Sequence, residues 1–186
     1  IIFHLLFYLI FLLILGILSS CLVNAHGDVW VDVDTNNLTL SVMRGEKIEL
    51  SFDNISIGRY GASKARMMGD NRTPIGTFRI GWIKESRRFH RFFVFDFPNR
   101  EAADLALAEN RITREIWQSI VNALDTGQSP PQNTPLGGYL GIHGLGRGDQ
   151  KVHQRYNWTN GCIALTNAQI DQLSKWLKPG VLVKVW

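Results

Sequence analysis

The chain changes its hydrophobic period partway along, and that change limits what it can fold into. From Val29 to Phe97 apolar and polar residues alternate in short runs parted by turn residues, the pattern of strands with one buried face. Val29-Trp30-Val31-Asp32-Val33 and Leu38-Thr39-Leu40-Ser41-Val42-Met43 flank Asp34-Thr35-Asn36-Asn37 and read as a hairpin. Lys47 to Ile57 reads as one or two further strands, and Gly58 to Asn71 as a polar, glycine-bearing loop. Thr77 to Ile83 and Arg91 to Phe97 pair around the basic turn Lys84-Glu85-Ser86-Arg87-Arg88. From Glu101 to Leu124 the apolar spacing lengthens to three and four residues (Leu105, Ala108, Ile112, Ile116, Ile120, Leu124), which is helical. That stretch divides near Asn110, with Thr113 capping a second helix.

Strand patterning then returns. Gly127 to Pro135 is a Pro-rich connection, and Tyr139-Leu140-Gly141-Ile142 is a short strand leading into His143. Gly144 to Asn157 reads as a long loop, Asn167 as the cap of a helix over Ala168 to Leu177, and Val181 to Val185 as the closing strand. The expected fold is mainly β with a helical insertion at about 101–124, an α+β arrangement in one domain covering 26–186.

Residues 1–25 are of another kind. Ile1 to Leu18 contains no Lys, Arg, Asp or Glu, and at about 1.5 Å per residue it just spans a bilayer core as a helix. Ser19-Ser20-Cys21 and Val23-Asn24-Ala25 follow, two competing small-residue processing sites. The first resembles a lipoprotein box that would place a lipid on Cys21; the second would leave a soluble product starting at His26. The expectation is an exported protein of the periplasm or cell envelope, with residues 1–25 as a signal peptide or a membrane or lipoprotein anchor, and with membrane contact only through that segment. All charged residues lie beyond it, so the remainder carries the whole formal +4. That mild basicity suits an acidic envelope polymer but singles out no partner, and nothing in the chain points to nucleic acid. With Cys21 removed or lipidated, Cys162 is left without a disulfide partner, and one cysteine argues against a structural zinc site. No metal and no cofactor is expected.

Cys162 stands in Thr159-Asn160-Gly161-Cys162, and fifteen residues separate His143 from Thr159. A free thiol with a pKa near ~8.5 is only a few per cent thiolate at neutral pH and needs a base or a positive field beside it. His143, at the end of a strand with glycine on both sides, reads as a reachable ring and the natural base. An imidazolium contact that lowered the thiol to about 7 would represent a thiolate preference on the order of 2 kcal/mol. His153 is the rival base, and Trp158 reads equally as a substrate platform or a core residue.

Thr73-Pro74-Ile75-Gly76-Thr77-Phe78, Ile142-His143-Gly144 and Thr159-Asn160-Gly161-Cys162-Ile163 together resemble the L,D-transpeptidase catalytic domain (the YkuD-type domain), whose fold is a β-sandwich or barrel. The resemblance covers roughly Val29 to Trp186. It implies that Cys162 attacks a peptide carbonyl as a thiolate, that His143 takes the proton, and that the Gly144 carbonyl orients the imidazole. It further implies that backbone N–H groups of Gly161 and Cys162 stabilise the oxyanion, each such donor being worth ~100- to 1,000-fold in rate. The implied substrates are peptidoglycan stem peptides, with a second stem's side-chain amine or a wall-linked lipoprotein lysine as acceptor, in cell-wall biogenesis and cell shape. The neighbouring alternatives are a hydrolase of the same substrates (a carboxypeptidase or amidase) and a non-catalytic wall-binding module.

Two departures stand out. Asn160 occupies the place of the family's second His; it cannot act as a base, though its amide can meet an oxyanion or hold the loop. Ala164 stands where many members carry Arg, removing a guanidinium suited to gripping a carboxylate. Arg147, Lys151 or Arg155 on the preceding loop are the expected substitutes, with Thr159 and Trp158 as further candidate substrate contacts.

Overall fold

The expected hairpin forms. In the computed structural model, which describes residues 27–186, β1 (Val29–Asp34) runs antiparallel to β2 (Thr39–Arg44) with Val31 opposite Val42 and Val33 opposite Leu40. Asp34 closes the turn, its carboxylate accepting the backbone N–H groups of Asn36 at 2.8 Å and Asn37 at 2.9 Å. The signal or anchor expected over residues 1–25 lies outside the described residues. Among the described residues, no helix is long and apolar enough to cross a membrane.

β3 (Lys47–Phe52), β6 (Gly76–Ser86), β7 (His90–Phe95), β8 (Gly141–Gly144), β9 (Ile163–Leu165) and β10 (Leu182–Val185) complete an eight-stranded sheet ordered β3-β2-β1-β10-β6-β7-β8-β9. Two short strands, β4 (Ala62–Ser63) and β5 (Thr73–Pro74), pair separately inside the region expected to be loop and turn. β3 and β9 would be bare edges, but residues 55–58 tie the two ends of the sheet together. Ile55 N–H donates to Leu38 O at 3.1 Å, and Ser56 exchanges both backbone bonds with Ala164 at 2.9 and 2.7 Å. The sheet therefore curls toward a barrel, and the Ser56–Ala164 exchange covers the β9 edge that would otherwise be a template for aggregation.

Burial explains why the central strands do not alternate. Phe92, Phe93, Val94 and Phe95 are all buried on β7, because helices and loops cover one face and the curled sheet the other. Phe78 stacks on Phe95 with ring centroids 5.2 Å apart and meets Phe97 edge-on at 5.9 Å. The helical insertion is α1 (Arg100–Ala108) and α2 (Arg114–Asp125), which turn Ala103, Ala106 and Ile120 into the same core. Its break falls at Asn110, whose φ of 56° is left-handed, and Thr113 caps α2 by accepting the Ile116 N–H.

The C-terminal third departs from expectation in two places. The segment 144–157 contains a short helix, α3 (Gln150–Arg155), started by Asp149, whose side chain accepts the N–H groups of Lys151 and Val152. The last helix, α4 (Asn167–Leu173), is capped by Thr166 rather than Asn167, through a capping box with Gln169. Asn167 instead holds Gly146 by two bonds, Oδ1 accepting its N–H at 2.8 Å and Nδ2 donating to its carbonyl at 2.9 Å. That clamp fixes the chain as it leaves β8, three residues beyond His143.

Phe95→Ala is expected to destabilise the fold by about 3–5 kcal/mol, because it empties a fully enclosed ring site. Urea denaturation should show a lower midpoint at an unchanged slope; a loss under about 1 kcal/mol would contradict the packing described here.

Candidate active site

His143 sits inside β8, and its ring is 2% exposed. Phe89 lies 4.3 Å from it between centroids, Phe92 5.7 Å and Trp158 5.9 Å, three walls of an aromatic cage. The reachable ring expected from its flanking glycines is therefore enclosed instead. Gly144 has the opposite effect to the one expected: a Cβ there would meet Phe89 O at 2.9 Å and Asn167 Oδ1 at 2.9 Å, so its absence lets the walls close in. His143 Nδ1 lies 2.8 Å from the Gly144 carbonyl. A carbonyl only accepts, so Nδ1 carries the proton and Nε2 keeps the lone pair of a base. Burial pushes the imidazole down to about 4, against the Gly144 bond, with His153 and Arg88 lowering it further.

Cys162 ends a tight turn directly before β9. Thr159, 3% exposed, builds that turn: its hydroxyl donates to Cys162 O at 2.6 Å and accepts the Gly161 N–H at 3.1 Å. Gly161 is held at φ +127°, a left-handed conformation that glycine tolerates, and a Cβ there would lie 2.7 Å from Arg72 O. Thr159 is thus committed within the turn rather than presented to a ligand, and at rest the Gly161 donor expected for an oxyanion is already taken. The Cys162 thiol is half-buried and donates to the Tyr139 carbonyl at 3.6 Å. Burial pushes it up to about 11, opposed by the Gly141 N–H and by Arg66.

The sheet brings base and thiol into one neighbourhood. β8 and β9 are parallel, with His143 opposite Ala164. Cys162 precedes Ala164 by two residues, so it stands one strand over and one pleat repeat back, a Cα separation of about 8 Å from strand spacing and rise. The resting thiol nevertheless bonds Tyr139 O, and both groups are neutral at pH 7. This differs from the expected imidazolium-assisted thiolate, and the cause is desolvation of both partners. Moving the proton from a thiol near 11 to an imidazole near 4 spans 11 − 4 = 7 pH units, on the order of 10 kcal/mol. Attraction between the ions at close range returns about 4 kcal/mol at an effective dielectric of 20. On these values the ion pair stays uphill in the free protein.

Asn160 is exposed, with Oδ1 accepting from Arg59 Nη2 at 2.9 Å; the same Nη2 donates to Trp158 O at 3.2 Å. That bond orients the amide so that its Nδ2 donors face away from Arg59. Ala164 is fully enclosed, pairing with Ser56 and opposite His143, so the position offers no open surface for a guanidinium. Arg59, in a segment that reads as polar loop, is an exposed cation bonded to the Thr159–Cys162 turn, whereas Arg147, Lys151 and Arg155 are exposed on or beside α3. The rival base His153 is buried behind Trp158, whose indole N–H donates to His153 Nδ1 at 3.2 Å. Trp158 thereby separates the two imidazoles and serves as a cage wall. Phe89 was also unforeseen, because nothing in a basic turn signals that its next residue folds back over a histidine. Among the described residues, no three metal-ligating side chains come together. A cavity of about 930 Å³ lined by Trp30, Arg44, Arg79, Trp176 and Lys184 lies elsewhere and includes neither Cys162 nor His143.

Comparison with known proteins follows the same lines. The family profile of the L,D-transpeptidase catalytic domain matches residues 28–185. Among solved structures, the helical cell shape determining protein Pgp2 from Campylobacter jejuni is 18% identical with a TM-score of 0.58, covering 87% of this chain and 48% of its own. The L,D-transpeptidase (Yku) from Stackebrandtia nassauensis is 15% identical with a TM-score of 0.50, covering 88% of this chain and 57% of its own. The chain thus spans about half the length of these proteins, and at such identities the likeness is one of fold. Comparison with curated proteins finds no match.

The buried imidazole carries a pH prediction. Its folded pKa is depressed from 6.5, so between about 4 and 6.5 the unfolded chain binds the extra proton. The contribution is complete above 6.5 and is lost as pH falls toward 4, on the order of 3 kcal/mol. Urea midpoints measured from pH 7 to pH 4.5 should fall in the wild type and fall less in His143→Gln; parallel curves would contradict a neutral buried imidazole.

Proposed function

The chain belongs to the peptidoglycan-modifying L,D-transpeptidase family, and on that premise we propose that it is an exported cysteine acyltransferase acting on peptidoglycan stem peptides. The observation that carries the reading is the Nδ1–H bond of His143 to Gly144 O, which leaves Nε2 free as a base on the strand beside Cys162. In the first half-reaction Cys162 Sγ attacks the carbonyl carbon of the donor peptide bond while His143 Nε2 takes the thiol proton. The tetrahedral oxyanion is met by the Cys162 N–H and by the Asn160 Nδ2 donors, while Gly161 stays on Thr159. The carbon–nitrogen bond then breaks, the proton passes from His143 to the leaving amine, and a thioester remains on Cys162. An acceptor amine then attacks the thioester carbon, giving its proton to Nε2; the carbon–sulfur bond breaks, and His143 returns that proton to the departing sulfur, restoring the thiol.

The acyl donor is a tetrapeptide stem losing its terminal D-alanine, and the acceptor is a second stem's side-chain amine or a lipoprotein lysine. Arg59 is suited to the donor's carboxylate, since it is the guanidinium anchored on the turn that carries the nucleophile. Desolvation favours transfer over hydrolysis, because a water-poor cage around the base hinders activation of water for attack on the thioester.

Incubation with stem-peptide fragments and mass analysis of the products tests this directly. Cross-linked dimers are expected; shortened monomers alone would replace transferase with carboxypeptidase or amidase, and bound but unaltered peptide would indicate a wall-binding module. A carbapenem should add its mass to the wild type and leave Cys162→Ala unmodified. Cys162→Ser should keep the fold and lose most turnover; full activity in that variant would rule out the thiol as nucleophile.

A further inference from the structure

Arg66 is 5% exposed, in a loop that sequence patterning marks as polar surface. Its guanidinium donates to three backbone carbonyls from three segments: Nη1 to Leu136 O at 2.6 Å, Nε to Arg72 O at 3.1 Å, and Nη2 to Asn160 O at 3.4 Å. The last belongs to the nucleophile turn, two residues before Cys162. Asp70, one-quarter exposed, approaches only at 3.7 Å from Nε, and the Phe97 ring lies 5.8 Å from the guanidinium carbon. Carbonyl dipoles satisfy the N–H groups without cancelling the charge. Two glycines make room for it: a Cβ at Gly137 would collide with Nη1, and one at Gly161 would come within 3.4 Å of Nη2.

Burying a cation costs several kcal/mol, and a neutral donor bonds carbonyls with a far smaller desolvation penalty. Retaining a full charge under the turn is explained if the charge itself acts on something. The group it acts on is the sulfur: Arg66 is bonded to the turn two residues before Cys162, its charge opposes the burial that raises the thiol, and a Cys162 thiolate would in turn support the charge on Arg66. We infer that Arg66 is a positioning residue for the nucleophile, fixing the Asn160–Cys162 turn from beneath and favouring the thiolate as it forms. The inference rests on Cys162 being the reactive group, but not on the identity of the substrate. The other charged or titratable groups on elements packed against the turn are His143 on the adjacent strand, Arg59 bonded to Asn160, Asp70 beside Arg66, and His153 bonded to Trp158.

The rate of iodoacetamide alkylation, followed at Cys162 by peptide mass across pH 7 to 10, tests this on the full chain. Arg66→Gln should slow alkylation about tenfold at fixed pH, equivalent to one unit in the thiol pKa, while Arg66→Lys stays within about threefold of wild type. Asp70→Asn removes the opposing carboxylate and should speed alkylation roughly twofold to threefold. A merely structural role predicts the reverse sign for Arg66→Gln, because a loosened turn exposes the sulfur. A folded Arg66→Gln variant alkylated at the wild-type rate or faster would overturn the inference, as would an Asp70→Asn variant no faster than wild type. If Arg66→Gln does not fold, the partly exposed Asp70→Asn decides alone. Alkylation requires no stem peptide, so failure to transfer or hydrolyse stems would remove the proposed function while leaving this result to stand or fall by itself.

Discussion

Everything chemical in this protein depends on the parallel register of two short strands, β8 and β9. That register sets His143 opposite Ala164 and so places Cys162 on the neighbouring strand, two residues before that pair. Each strand has only a few residues, and neither would hold its position unaided. β8 is fixed by the aromatic run of β7 and by the Asn167 clamp on Gly146; β9 is fixed by the double backbone exchange between Ser56 and Ala164. The curl of the sheet is thus what assembles the site, since the segment that covers the β9 edge begins at the opposite end of the same sheet.

Desolvation then decides the chemistry that this arrangement can perform. The same aromatic walls that surround His143 disfavour its charge, and desolvation at the half-buried Cys162 disfavours the thiolate. A neutral pair is less reactive at rest than an ion pair, but the Gly144 bond fixes one tautomer of His143. In the proposed reaction, the trigger is the arrival of an electrophilic carbonyl rather than the resting acidity of the thiol. Arg66 fits this economy of charge: it lies where a developing negative sulfur would feel it, and its guanidinium is enclosed on carbonyls so that little water screens it.

Most of the architecture was legible because it is local. The hairpin around Asp34, the strand pair around the basic turn and the helix break at Asn110 each follow from side-chain period and turn chemistry within a dozen residues. Cys162 and His143 were singled out as candidate nucleophile and base by motif spacing, and the fold sets them on adjacent strands. What escaped was non-local. Arg59 and Arg66 sit in a glycine-bearing loop whose composition is that of surface, and only the folded loop reveals one guanidinium on Asn160 and the other beneath it. Phe89 likewise gives no signal until the turn folds back over His143. The glycine beside His143 was misread for a physical reason: a missing Cβ admits neighbours as readily as it admits solvent, and here Phe89 and Asn167 took the space. Thr166 and Asn167 were exchanged as helix cap because both residue types cap well, and the choice turns on which one the Gly146 segment needs.

The central claim is that base and thiol are both uncharged in the free protein. Thiolate ultraviolet absorbance, taken as the difference between wild type and Cys162→Ser from pH 5 to pH 10, measures it most directly. The account predicts no Cys162 thiolate below the ordinary thiol value of ~8.5. A thiolate already present at pH 7 and abolished in His143→Gln would contradict it.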